Sequence, residues 1–197
     1  MRGVVIKSTG SWYIVKTDDG ELLNCRIRGK FRMQDIKSTN PIVVGDKVLV
    51  SNEDDSFIID ELFDRKNIIV RKSVNLSKQT HILASNVDQA ILVVTMKSPQ
   101  TSTGFIDRFL VSAQAYGVDV IILFNKTDLY DQVTLALLEE RRSIYQKIGY
   151  RCLSKSTLND DLSDIKELMK DKVNVISGHS GVGKSTLLNS ICLFIHI

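Results

Sequence analysis

The sequence predicts an α/β domain built on a parallel sheet, preceded by a small all-β barrel. Three observations carry that prediction. From Val87 onward, apolar runs of strand length alternate with amphipathic stretches of helical length. Before about residue 70, five short strand patterns follow one another with turn residues between them and no convincing helix. Near the carboxyl end, a strand pattern, a glycine-rich loop and a helical pattern come in direct succession at 173–192. The first is the signature of a doubly wound sheet, the second of a small closed barrel, and the third of a phosphate-binding loop.

In the first region, Gly3–Lys7, Ser11–Lys16, Glu21–Arg28, Lys47–Asn52 and Ser56–Leu62 alternate or run apolar. Turn signals separate them: Thr9-Gly10, Asp18-Asp19-Gly20, Asn40-Pro41 and 52–55. Five strands of this kind fit an OB-fold over residues 1–70. Arg26, Arg28, Lys30 and Arg32 recur at every second position. On extended chain that period puts them on one face, with Cys25, Ile27 and Phe31 on the other. A basic barrel face suits a nucleic-acid backbone as well as it suits solvent. Trp12 and Tyr13 are aromatic groups able either to stack on a base or to fill the core. The stretch Asp64 to Ser85 is polar and basic and reads as a connector to the second domain, 71–197.

In the second region, Ala90–Thr95 and Val118–Phe124 are continuous apolar runs, as in parallel strands covered on both faces. Phe105, Ile106, Phe109, Leu110 and Ala113 mark one face of a helix ending near Gly117. Asp131–Ile148 is a second helix, with Val133, Leu137, Ile144 and Ile148 expected inward. Cys152-Leu153 is a short strand, and Leu162, Ile165, Leu168 and Met169 mark a third helix. Then comes Val173–Ser177, the strand feeding the glycine loop.

That loop, Gly178-His179-Ser180-Gly181-Val182-Gly183-Lys184-Ser185 with Thr186 after it, fits G-x-x-x-x-G-K-[ST]. Glycines let the backbone curl so that its N–H groups face phosphate oxygens, and a helix N-terminus adds partial positive charge. Lys184 is placed for the β- and γ-phosphates, and the Ser185 hydroxyl for Mg²⁺. A second motif, Asn125-Lys126-Thr127-Asp128, follows directly on the strand ending at Phe124. An Asp128 carboxylate can accept paired hydrogen bonds from guanine N1–H and the 2-amino group, which adenine does not offer. Asn125 can address the O6/N7 side, and the stem of Lys126 can cover the ring. Ser156-Thr157, after the next strand, stands where a backbone N–H can meet guanine O6; a plain capping turn explains it equally well.

The base-reading motif thus precedes the phosphate loop, the reverse of the usual order. With a barrel in front, the chain resembles the ribosome small subunit-dependent GTPase A family (RsgA, also called YjeQ or YloQ). The resemblance rests on Ala84-Ser85-Asn86-Val87-Asp88-Gln89, Ile106-Asp107-Arg108-Phe109-Leu110, Asn125-Lys126-Thr127-Asp128-Leu129 and Gly178 through Asn189. It implies a circularly permuted GTPase domain, GTP or GDP with Mg²⁺ as ligands, and GTP hydrolysis during late maturation of the small (30S) ribosomal subunit. It further implies that the barrel contacts ribosomal RNA. Family members also carry a switch segment, a D-x-P-G motif and a Cys/His zinc site. No glycine in this sequence has Asp three positions before it, and Cys192 and His196 do not make a zinc site. The expectation is an incomplete GTPase domain. Its alternative role is that of a nucleotide-binding, hydrolysis-defective module that binds rRNA.

Composition agrees with a globular protein: 197 residues, 43% hydrophobic, 25% charged and a net charge of +3. Cys25, Cys152 and Cys192 are widely spaced and match no metal-ligand pattern, which points to a reducing compartment. The segment MRGVVIKSTG lacks a secretory apolar core, and no apolar run approaches the ~20 residues a membrane span needs. A cytoplasmic monomer is the expected form.

Overall fold

A computed structural model describes residues 1–27, 41–53, 56–72 and 80–192. The chain divides into two compact units, Met1–Val87 and Asp88–Ile197.

In the first unit, β1 (Arg2–Thr9), β2 (Trp12–Thr17), β3 (Leu22–Ile27), β4 (Lys47–Glu53) and β5 (Ser56–Leu62) close into a barrel in the order β1-β2-β3-β5-β4. Neighbours are antiparallel except β3 and β5, which run parallel. Alternation sends Val5, Tyr13, Val15, Leu23, Cys25, Val48, Val50 and Ile59 into one core. Tyr13 is therefore a core residue, while Trp12 stands outside with 48% of its surface exposed. Burial raises the Cys25 thiol to about 11, so it behaves as a small apolar group. Of the four alternating basic residues, Arg26 is exposed on β3; Arg28, Lys30 and Arg32 lie outside the described residues, as does Phe31.

The stretch read as a polar connector contains a hairpin. β6 (Ile68–Lys72) pairs antiparallel with β7 (Thr80–Ser85), and Ile69 and Ile82 are buried. Its apolar runs, Ile68–Val70 and Ile82–Ala84, are three residues each among many polar and charged ones, too short to announce it. The hairpin is tied to the barrel by Asp46, whose side chain is fully buried. Its carboxylate accepts from Arg65 Nε and Nη2, both at 2.7 Å, from Ser85 Oγ at 2.6 Å and from the Val43 N–H at 2.8 Å. A buried carboxylate survives only when paired and fully hydrogen-bonded, and these four donors meet that condition.

The second unit carries β8 (Gln89–Val94), α1 (Thr103–Ala115), β9 (Asp119–Phe124), α2 (Gln132–Lys147), β10 (Arg151–Ser154), α3 (Ser163–Met169), β11 (Asn174–Ser177) and α4 (Lys184–Cys192). Its sheet is parallel, in the order β10-β9-β8-β11. All six residues of β8 are buried, as expected for a strand covered on both faces. Ile91, Val93, Leu123, Leu162, Ile165, Val182, Leu187 and Ile191 form one core under the carboxyl end of the sheet.

The inward face of α2 is not the expected one. Val133 and Ile148 are 72% and 63% exposed, and Leu137 and Ile144 also face solvent, while Leu138 and Tyr145 are buried. Two apolar stripes compete on this helix, and polar-tipped residues decide between them. The Tyr145 hydroxyl donates to Asp107 at 2.9 Å, and Arg141 reaches the Thr101 carbonyl from the same face. Burial and the Asp107 contact raise the Tyr145 hydroxyl far above its ordinary range, so it stays a donor.

Replacing Asp46 with Ala removes the acceptor of the Ser85 hydroxyl and of Arg65 Nε, while Arg65 Nη2 keeps the Pro41 carbonyl. The expected loss is about 3–5 kcal/mol of barrel stability. Urea unfolding followed by the emission of Trp12, the chain's single tryptophan, measures it directly.

Candidate functional site

Four loops leave the carboxyl ends of the parallel strands, where open α/β sheets gather their ligands. They start at Thr95 after β8, Asn125 after β9, Lys155 after β10 and Gly178 after β11. Parallel register levels these ends: Val94 lies opposite Phe124, Ser154 opposite Phe124, and Ser177 opposite Leu92.

Asn125 joins three of the loops. It is 1% exposed. Its Nδ2 donates to the Val182 carbonyl in the glycine loop at 2.8 Å, and its Oδ1 accepts from the Thr157 N–H at 2.9 Å. Its own backbone N–H continues the sheet ladder to Val94, and the Tyr130 hydroxyl donates to its carbonyl. Lys126 follows in the left-handed conformation (φ 64°), which turns the chain sharply into the single 3₁₀ turn Thr127–Leu129. That turn brings Asp128 to the rim of a cavity of about 200 Å³ shared with Asn125, Lys126, Ser156, Thr157 and Gly183. Lys126 Nζ donates to the Ser98 carbonyl at 2.6 Å, fixing its stem beside the cavity.

The glycine loop is held just as tightly. A side chain at Gly183 would meet Asn125 Nδ2 at 2.3 Å, and one at Gly178 would meet the Val93 carbonyl at 2.2 Å. Both glycines also have positive φ, so both positions demand glycine. Lys184 Nζ donates to the carbonyls of Gly178 and His179, at 2.9 and 2.7 Å, and closes the loop on itself. The His179 ring rests against Phe105 of α1, centroids 3.9 Å apart. Ser185 and Thr186 open α4 at the loop's end, and Ser180 and Gly181 are exposed at its crest.

Ser156 is placed differently from a direct base reader. Its N–H donates to Asp160 at 2.7 Å, and its buried Oγ has no partner among the described residues. Thr157 holds Asn125, so the next residue, Leu158, carries the amide that follows along the same cavity. Sequence reading missed Thr157's role, the Ser98 carbonyl and the Phe105–His179 contact. The Ser98-Pro99 dipeptide after a buried strand was a turn signal that marked one of them. A larger cleft, about 770 Å³, lies at the amino ends of the strands, lined among others by Gln89, Asp119 and Arg151. Strand topology and the anion-binding loop both favour the smaller, carboxyl-end site as the ligand site. Among the described residues, no group of three or more His, Cys, Asp or Glu is placed to hold a metal ion. No helix of the described residues is long and apolar enough to cross a membrane.

A parallel sheet whose base-side segment precedes its phosphate loop, behind a closed barrel, defines a circularly permuted GTPase fold. The chain belongs to the RsgA GTPase family: the model described as "RsgA GTPase" matches residues 62–195, and "RsgA N-terminal domain" matches 2–57. It is 55% identical over 193 residues to "Small ribosomal subunit biogenesis GTPase RsgA" of Bacteroides fragilis, covering 97% of this chain and 62% of that protein. The protein of the same name from Flavobacterium psychrophilum is 53% identical over 205 residues, covering 100% of this chain and 62% of that protein. The structure of YjeQ from Thermotoga maritima superposes with a TM-score of 0.77 at 37% identity, covering 98% of this chain and 66% of that one. YloQ, titled a circularly permuted GTPase, gives 0.69 at 35%, covering 99% and 65%. The chain thus spans about 62% of the length of the curated relatives it matches.

Asn125→Ala leaves the Val182 carbonyl and the Thr157 N–H unpaired. Each buried group so orphaned costs about 1–3 kcal/mol. The expected outcome is at least tenfold weaker nucleotide binding with the circular-dichroism spectrum unchanged, read by titration with a fluorescent GDP.

Proposed function

We propose that this chain carries the guanine-nucleotide site of a Mg²⁺-dependent GTPase that works on the small ribosomal subunit. The observation that supports it best is the Asn125 side chain, which bonds the base-side turn to the phosphate loop at Val182. Asp128 accepts guanine N1–H and the 2-amino group, while Lys126, its ammonium held on Ser98, covers the ring with its stem. Leu158, next along the cavity from Ser156 and Thr157, supplies an amide toward O6. The N–H groups of Gly178, His179, Ser180, Gly181, Val182, Gly183, Lys184, Ser185 and Thr186 receive the phosphates. Lys184 exchanges its two loop carbonyls for β- and γ-phosphate oxygens, which keeps the loop closed with or without nucleotide.

The Ser185 hydroxyl at the start of α4 is the group that would hold Mg²⁺, and the tight glycine cradle beside it fits a metal–phosphate unit. When bound, the ion neutralises charge on the phosphate oxygens. Lys184 then adds a fixed positive charge against the same oxygens. Relatives that match 97–100% of this chain at 53–55% identity are named for small ribosomal subunit biogenesis, and we assign the same setting here. Maturing ribosomal subunits place the protein in the cytoplasm, acting as a monomer on RNA through its barrel. A second reading is binding of nucleotide and rRNA without turnover.

Two measurements test the proposal. GTP should bind far better than ATP, and Asp128→Asn should reduce that preference at least tenfold, since the paired acceptor is lost; unchanged selectivity refutes the base assignment. Hydrolysis measured with and without small subunits separates the GTPase from the non-hydrolysing reading.

A further inference from the structure

The ladder between β8 and β9 ends in a split rung. In a parallel pair, evenly spaced bonds join one residue to two on the neighbouring strand: it donates to the carbonyl before its opposite number and accepts from the N–H after it. The Asn125 N–H makes the first bond, to the Val94 carbonyl at 2.8 Å. The second would run from the Met96 N–H to the Asn125 carbonyl. The Tyr130 hydroxyl stands between those two groups instead, accepting from the Met96 N–H at 2.8 Å and donating to the Asn125 carbonyl. The strands therefore part at Asn125, one of the residues lining the base-side cavity.

The turn after Asn125 is what returns Tyr130 to this place. Its N–H donates to the Thr127 carbonyl at 3.2 Å, closing the 3₁₀ turn, and the phenol ring is buried. Burial raises the Tyr130 hydroxyl above its ordinary range, the Met96 amide opposes that rise, and the Asp128 charge adds to it. The hydroxyl so stays protonated and serves as a donor.

Lys126 shows what the wedge holds. Its left-handed conformation, φ 64°, is unfavourable for a residue with a side chain and persists only where the surroundings enforce it. Reaching it requires the Asn125–Lys126 peptide to be rotated, and the carbonyl of that peptide is the group Tyr130 holds. The Lys126 ammonium on the Ser98 carbonyl is a second restraint, but it acts through a long flexible chain. The Asn125 side chain is anchored separately, on Val182 and Thr157. Removing the hydroxyl thus frees the turn without freeing the phosphate loop. The Met96 N–H can then close directly on the Asn125 carbonyl and complete the rung, which draws the turn inward.

We infer that Tyr130 is a positioning residue for base selectivity: its hydroxyl, wedged into the β8–β9 ladder, fixes the Asn125–Lys126 peptide and through it the angle at which Asp128 meets the base. The inference rests on the proposed guanine site and names the group that sets that site's geometry.

The 197-residue chain is titrated with GDP and with inosine diphosphate, each competing against a fluorescent GDP. Inosine lacks only the 2-amino group, so the affinity ratio isolates one of the two hydrogen bonds to Asp128, and wild type should favour GDP about tenfold. Tyr130→Phe should shrink that ratio about fivefold while weakening the inosine nucleotide less than about threefold. Tyr145→Phe removes another buried hydroxyl, the donor to Asp107, and should leave the ratio unchanged. On a Lys126→Gly background, where the left-handed conformation carries no penalty, Tyr130→Phe should alter the ratio less than about twofold. A ratio in Tyr130→Phe equal to wild type, or an equal fall in Tyr145→Phe, overturns the inference and leaves the base assignment standing. A wild type that does not distinguish the two nucleotides overturns both. If Tyr130→Phe does not fold, amide hydrogen exchange of the nucleotide-free wild type decides: a protected Met96 N–H supports the wedge, and exchange at the rate of an exposed amide overturns it.

Discussion

One buried amide organises the second unit. Asn125 has four hydrogen-bonding capacities in its backbone and side chain that tie β9 to β8, to the glycine loop, and to the turn after β10. An Asp at this position would keep the acceptor for Thr157 but set a carboxylate against the Val182 carbonyl. A Leu would satisfy neither. The side chain must donate on one side and accept on the other while buried, which only an amide of this length does here. Gly183 packs so close to the same amide that the two residues specify each other. Loop shape and base-side geometry are therefore one structural variable.

The barrel depends on a comparable device of opposite character. Asp46 brings a full negative charge into a core and satisfies it with a bidentate arginine, a serine hydroxyl and a backbone amide. An apolar residue there would remove the desolvation cost but also the one carboxylate that bonds Arg65 and Ser85 together. The hairpin of β6 and β7 is held by this polar contact at Ser85 together with the burial of Ile69 and Ile82.

Much of this was legible in the sequence because the chemistry is local. Gly178–Thr186 and Asn125–Asp128 are contiguous segments whose side chains and backbone act within a few residues of each other. Their flanking strands are apolar throughout, so the parallel sheet could be read from composition. The barrel's five strands were readable for the same reason. What escaped was decided between elements. The α2 face turned on whether Tyr145 would find Asp107 and whether Arg141 would find Thr101, and neither partner lies on α2. Hydrophobicity alone ranked Val133 and Ile148 above a tyrosine and an arginine whose long stems bury well once their tips are bonded. The Thr157 amide and the Ser98 carbonyl were missed for a related reason: backbone groups carry no mark in a sequence. Trp12 was ambiguous until strand pairing put it outside the barrel.

The inverted motif order has a physical consequence. Asn125 and Val182 are separated by 57 residues, and the bond between them is not enforced by a short chain connection. In a parallel sheet the strand ends are levelled by register, so β9 and β11 deliver their loops to the same edge whichever comes first in sequence. That levelling brings the loops near each other, but to within the tolerance of a turn, not of a hydrogen bond. The last ångström is set by the amide itself and by the glycines that let the loop approach it. On the proposed reading a nucleotide spanning both segments finds them already in register, because a base on Asp128 and phosphates on the glycine loop would be connected by a ribose of fixed length. Such binding would draw on geometry prepared before the ligand arrives, which reduces the ordering cost that otherwise weakens association. The chain order of the motifs is free to vary as long as that one side chain keeps them together.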